Sequence, residues 1–345
     1  MANLTEAAFF SKKAFIWTLW FIGAVLILIL LVSLGKVTKN AIFPPKPLPA
    51  TVAFGKLPKL DLTEGIKPQA QITYSIETIS GQLPSLPNTA KVFTIASNES
   101  SFGALERTKI RVSKLGFTEE PQKISGNIFQ FQDPKEEDRI IAIDVTSDNF
   151  TLESNYFNSP QILSTRPGSL EAAVDLARDF FSNFDLNLEE FPQDKIQTLT
   201  FRVDAGHLTE TPALSTANVI QVNFQRADLD GLNIISPQES KPPAKALVSQ
   251  RKIVEAELAK LAILQNEFAT YPLKETTEAF EQLKSGQGAF NKSPTNLNVP
   301  IRNVSLAYIE TKNYQNYLQP VYVFKSDEGL VAYVAAVDDV WITQD

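Results

Sequence analysis

Apolar positions along this 345-residue chain fall into three regimes. The first is unbroken: residues 14–35, AFIWTLWFIGAVLILILLVSLG, hold no charge and no proline. As a helix of about 33 Å, apolar on every side, this stretch is long enough to cross a hydrocarbon core of roughly 30 Å. The pattern predicts one transmembrane helix, with Trp17 and Trp20 near its N-terminal end at headgroup level. The second regime is punctuated. Residues 42–60, IFPPKPLPATVAFGKLPKL, hold five prolines and predict an extended spacer. The third, from about Gln71, mixes periods near 3.6 with periods of two.

That mixture reads as a helix and then meandering strands, three times over. In the first unit Leu105, Thr108, Val112 and Leu115 make one helical face that Gly116 can end. Phe129 with Phe131, and Ile141 with Ile143 and Val145, alternate as strands; residues 146–149 turn the chain into Phe150 and Leu152. In the second unit Leu170, Val174, Ala177, Phe181 and Phe184 follow a Pro167-Gly168-Ser169 stop and cap. Leu199, Phe201 and Val203 then alternate with polar residues, as do Ile220, Val222 and Phe224. Asp230-Gly231 signals a tight hairpin. The third unit sets a helix around Ala279, Phe280 and Leu283, closed by Gly286 and Gly288, before strands at 304–308, 321–324 and 330–337. Between the second and third units, residues 245–270 are rich in helix formers, and Val254, Leu258, Leu261 and Phe268 keep helical spacing. A helix is predicted there, with a pair of strands as the competing solution. The expected fold class is α+β: one N-terminal transmembrane helix followed by repeated helix plus antiparallel-sheet units. The expected boundaries are a cytoplasmic tail at 1–13, the span at 14–35, a Pro-rich spacer at 36–69, and units at 70–160, 161–240 and 241–345.

Charge narrows the partners. Residues 1–60 carry seven lysines and one glutamate, whereas 61–345 carry 25 basic and 38 acidic side chains, a formal −13. Nucleic acid and anionic lipid surfaces need a basic footprint, so no nucleic-acid partner is predicted. The absence of cysteine excludes disulfides, thiolate metal sites and cysteine nucleophiles. Met1 is the only methionine, and a body without sulfur side chains suits an oxidising, exposed location. His207, the only histidine, has no second soft ligand for zinc and no G-x-S-x-G to support a triad; it reads as a surface loop residue. Acidic clusters at 119–120, 136–138, 189–190 and 338–339 fall at element ends, where solvated charge is ordinary. Asp228-x-Asp230-Gly231-x-Asn233 fails as a calcium loop because Arg226 stands at its first ligand position. No P-loop and no G-x-G-x-x-G is present. A non-enzymatic protein is predicted, with no catalytic residue, cofactor or metal.

Aromatic side chains crowd the last forty residues: Tyr308, Tyr314, Tyr317, Tyr322, Phe324 and Tyr333. At strand spacing they read as core and cross-strand pairs, and any left exposed would anchor a protein partner. Tyr308, Tyr322 and Tyr333 are the candidate contacts in the body. Trp17, Trp20 and the small Gly23 are the candidates in the span.

The last unit carries a resemblance. Tyr271-Pro-Leu, Thr277–Leu283, Gly286, Val304–Tyr308, Leu318–Phe324 and Tyr333–Val337 resemble the C-terminal domain of YycI-type proteins, of the YycH/YycI group. Tyr322 stands where that family would have Trp, and three units stand where it would have two. The resemblance implies a bacterial protein with one N-terminal membrane helix and an extracytoplasmic α+β body that restrains or tunes a membrane sensor kinase. PepSY-like envelope modules share the helix-on-sheet shape and imply a binding or inhibitory role. Lysines flank both ends of the span, so the positive-inside rule does not choose an orientation. Composition and the resemblance place the body outside. The expectation is a signal-anchored, single-pass plasma-membrane protein that regulates or scaffolds a membrane partner such as a sensor kinase. The alternative is a cell-envelope binding module for a peptide or glycan. The expected partners are the lipid bilayer and another membrane or envelope protein.

Overall fold

Period two prevails over period 3.6 through most of the body. The computed structural model describes residues 17, 20, 21, 23, 49–67, 72–97, 102–186, 189–204, 206–238, 241–311 and 315–343. The chain divides into two units at Leu48/Pro49. In the first, Trp17, Trp20, Phe21 and Gly23 are helical, with both tryptophans exposed, and the rest of the predicted span lies outside the described residues. The expectation of a membrane-crossing helix, and the signal-anchored plasma-membrane placement built on it, is corrected by one finding. Among the described residues no helix is long and apolar enough to cross a membrane.

In the second unit, strands β1 (Thr73–Ile76) and β2 (Thr89–Ile95) precede helix α1 (Ala104–Ser113). A meander of β3 (Gln122–Ser125), β4 (Ile128–Asp133), β5 (Glu136–Asp144) and β6 (Phe150–Glu153) leads to α2 (Pro160–Ser164) and α3 (Leu170–Ser182). Next come β7 (Ile196–Asp204), β8 (His207–Glu210), β9 (Val219–Phe224), β10 (Asn233–Ile235) and β11 (Ala244–Ser249). β12 (Lys252–Leu258) and β13 (Ile263–Pro272) precede α4 (Thr276–Lys284). The remaining strands are β14 (Ala289–Phe290), β15 (Asn298–Ile301), β16 (Asn303–Ile309), β17 (Tyr317–Leu318), β18 (Pro320–Lys325) and β19 (Val331–Ala335).

Nine of these strands make one antiparallel sheet in the order β3-β4-β5-β6-β12-β11-β9-β7-β8. One face of it is apolar because Phe131, Ile141, Ile143, Leu152, Ile220, Val222 and Ala246 point the same way, and α1 and α3 cover that face. α3 presents Ala173, Ala177, Phe180 and Phe181, and Phe184 just beyond it packs tilted against Phe150 at 4.2 Å between ring centres. Its start is fixed by Ser169, whose Oγ accepts the Ala172 N–H at 3.1 Å. Gly116, at φ +101°, turns the chain out of α1 where a side chain would be strained.

The repeated-unit architecture is therefore corrected. The first two expected units share this one sheet, and the body is mostly β-sheet. The predicted helix at 245–270 is corrected too: β11, β12 and β13 occupy it. Ala244, Ala246, Val248, Ile253, Ala256 and Leu258 are buried, and β9 and β6 flank the hairpin on either side. A sheet that satisfies both edges and buries alternate side chains outweighs the local helix propensity of Ala, Glu, Lys and Leu.

The other lobe is discontinuous in sequence. A five-stranded sheet, β10-β16-β18-β19-β14, carries α4 on one face through Ala279, Phe280 and Leu283 against Leu306, Tyr322, Phe324 and Val334. Beside it lie the three-stranded sheet β13-β2-β17 and the parallel pair β1-β15. The nine-stranded lobe is thus inserted between β2 and β13, with β10 crossing back through the Asp230-Gly231 turn. The end of the expected spacer is woven into this lobe. Leu57 is fully buried and bridges to Ile342, Thr51 N–H bonds to Thr270, and Ile66 bridges to Phe290.

Candidate binding groove

Burial decides the fate of the tyrosines. Tyr308, Tyr322 and Tyr333 are 0 %, 1 % and 3 % exposed, so none forms an open aromatic patch. Tyr308 donates its hydroxyl to Lys91 O at 3.0 Å and Tyr322 to Lys274 O at 2.6 Å. Burial, with Asp230 nearby, pushes the Tyr308 phenol well above its ordinary range, so it stays protonated and keeps donating. Trp17, Trp20 and Gly23 lie in the other unit, where both tryptophans are exposed. His207 is exposed at the start of the edge strand β8, opposite Asp204. The acidic pair at 338–339 is absorbed locally: Asp338 Oδ1 accepts the Val340 N–H, and Asp339 accepts the Lys274 ammonium at 2.7 Å. Among the described residues no group of three His, Asp or Glu could hold a metal ion.

The concavity that involves Tyr333 is a groove of about 480 Å³ where the two lobes meet. Strand alternation builds its floor. On β18, Tyr322 and Phe324 turn toward α4, so Val321, Val323 and Lys325 turn to the opposite face. Val331, Tyr333 and Ala335 of β19 join them there. Among the described residues no helix covers this second face; Leu60 and Leu62 of the incoming segment cover part of it. The groove remains over the rest, with Val323 and Tyr333 at its bottom and Ile235 and Val331 half-buried at its sides. Its rim carries charges of both signs. Lys325 is exposed, and Lys195 pairs with Asp228 while donating to Asn233 Oδ1 at 3.3 Å. Asp194 is the one carboxylate of the lining. Sequence reasoning singled out Tyr333 but missed Lys325 and Val331. The available signal was the Val321-Val323-Lys325 alternation on a strand whose other face the helix already claims.

A buried ionic cluster holds the wall of the groove. Arg226 and Glu310 are each 3 % exposed at the side chain and meet through two bonds, Nε to Oε2 at 2.6 Å and Nη2 to Oε1 at 2.8 Å. Arg226 also bonds Glu190 and Leu261 O and stacks over Phe191, while the Leu261 N–H donates to Glu310 Oε1 at 2.6 Å. Lys260 completes the set with Glu190 at 3.1 Å. Burial alone would lower the Arg226 pKa, but the Glu310 and Glu190 carboxylates outweigh it and raise it above its ordinary value. Arg226 and Glu190 belong to the nine-stranded lobe and Glu310 to the five-stranded one, so the cluster ties the lobes on either side of the groove. No family model and no curated protein matches this chain.

Proposed function

We propose that this chain is a non-enzymatic binding protein that regulates or scaffolds a protein partner through the inter-lobe groove. The observation that carries this reading is the groove over the second apolar face of the five-stranded sheet, which no helix among the described residues covers and which the half-buried Val331 and the exposed Lys325 line. The half-buried Ile235 and Val331 at its sides offer burial to apolar side chains, and the exposed Lys325 attracts a carboxylate beside them. The occupant that suits both is an acidic segment with apolar anchors, contributed by another protein. A sensor kinase is the partner class that the YycI-type resemblance of the last unit implies.

The test is a titration of the full chain with fluorescent peptides tiled from sensor kinases of the same genome, read by anisotropy. Binding confined to acidic–apolar peptides, weakened at least about tenfold by Val331→Glu with Lys325→Glu, supports the reading. Binding indifferent to those substitutions, or none at all, removes it.

A further inference from the structure

A second concavity, of about 600 Å³, lies at one end of the nine-stranded sheet and belongs to none of the features above. Three pieces of backbone converge on it: the start of β5, the segment from Ser154 through α2, and the β11–β12 turn. Thirteen of its fifteen lining residues are polar or charged, whereas a pocket for an apolar ligand is lined mainly by hydrophobic residues. Its only aromatic ring, Tyr156, is 3 % exposed and donates to Glu255 Oε2 at 3.3 Å, so it is part of the floor.

Two things set this cleft apart from ordinary wet surface. The first is that its walls are fixed. Asn155 Nδ2 donates to Asp138 at 3.1 Å while Asn158 holds the Asn155 carbonyl at 2.7 Å. Ser154 Oγ bonds Val254 O, the Glu136–Lys252 pair spans β5 to β12, and Asn218 Nδ2 pins α2 through Leu163 O at 3.1 Å. The second is strain. The two-residue turn between β11 and β12 holds Gln250 at φ +27°, in the half of conformational space where such turns normally place Gly or Asn.

Inside these walls the side chains of Glu137, Gln161, Gln250 and Arg251 make no hydrogen bond or ion pair among the described residues. All four are planar two-point groups. A carboxylate offers two acceptors, an amide a donor and an acceptor, and a guanidinium a fork of donors. Adjacent hydroxyls on a sugar ring present matching donor and acceptor pairs. The charges also restrict the ligand. Glu136 is neutralised by Lys252 and Arg139 by Asp133, leaving Glu137 and Asp138 against Arg251. With both signs present, neither a polyanion nor a polycation gains. A peptide would need apolar pockets for its side chains, and Ile162 is the only aliphatic residue of the lining.

From this constellation we propose that the cleft is a binding site for a short, uncharged oligosaccharide. The site stands independently of the inter-lobe groove. The test uses the full chain and calorimetric titration with cellotetraose, maltotetraose and the N-acetylglucosamine tetramer, alongside tetra-alanine and a galacturonate tetramer. Binding of at least one neutral tetramer is expected, weakened about tenfold or more by Glu137→Ala and by Arg251→Ala. Both side chains are exposed, so the melting temperature of either variant should match the parent, and binding should be unaltered by Lys325→Glu. No binding of any neutral tetramer, preferential binding of tetra-alanine or the uronate, or affinity unchanged in both variants would each overturn the proposal.

Discussion

Arg226 is the residue on which most of the inter-lobe electrostatics turns, since its buried guanidinium contacts two carboxylates and a carbonyl. Removing one member of such a cluster strands the others in a low-dielectric setting. Arg226→Ala should therefore cost about 3–5 kcal/mol, read as a fall in the urea midpoint. Asp133 offers a pH test. Burial would raise its pKa, but the Lys135 N–H and the Arg139 guanidinium outweigh burial and hold the carboxyl below its ordinary 3.8. A carboxyl whose folded pKa is depressed contributes stability that is fully present above the unfolded pKa and is lost as pH falls through the folded value. The parent should lose stability more steeply below about pH 3.8 than Asp133→Asn does, in urea titrations across the acid range. At the strained turn, Gln250→Gly should raise stability by about 1 kcal/mol, because glycine carries no penalty for a positive φ.

At the scale of elements, α3 was legible because local and tertiary signals agree. Ser169 caps it, the spacing from Leu170 to Phe184 holds one face, and that face meets the sheet. Ser169→Ala should cost about 1 kcal/mol of stability, measurable by chemical denaturation. The β11–β13 stretch was illegible for the opposite reason. Its Ala, Glu, Lys and Leu favour a helix locally, and the strands that claim it come from residues 89–95, 150–153 and 219–224. A pairing such as Thr89 with Pro272 has no short-range signature in a single sequence. The groove was half legible. Tyr333 stood out as an aromatic at strand spacing, but only the position of α4 reveals which face of β18 and β19 is left over.

For the whole molecule, insertion of one lobe into the other explains why three sequential units looked plausible and are not what forms. The chain leaves the discontinuous lobe after β2 and, β10 apart, returns at β13, so that lobe needs residues from both ends of the body. The weave of Leu57 with Ile342 and of Ile66 with Phe290 adds the incoming segment to that closure. The groove lies at the seam this topology creates, with Lys325 exposed on its rim. Partner binding at that seam is the central claim, and a photo-crosslinking amino acid at position 325 tests it most directly in cells producing the full chain. The account predicts one discrete adduct with a protein whose crosslinked peptide is acidic with apolar anchors, lost when Val331→Glu is added. A diffuse set of adducts, none at all, or a discrete adduct unaffected by Val331→Glu would contradict it.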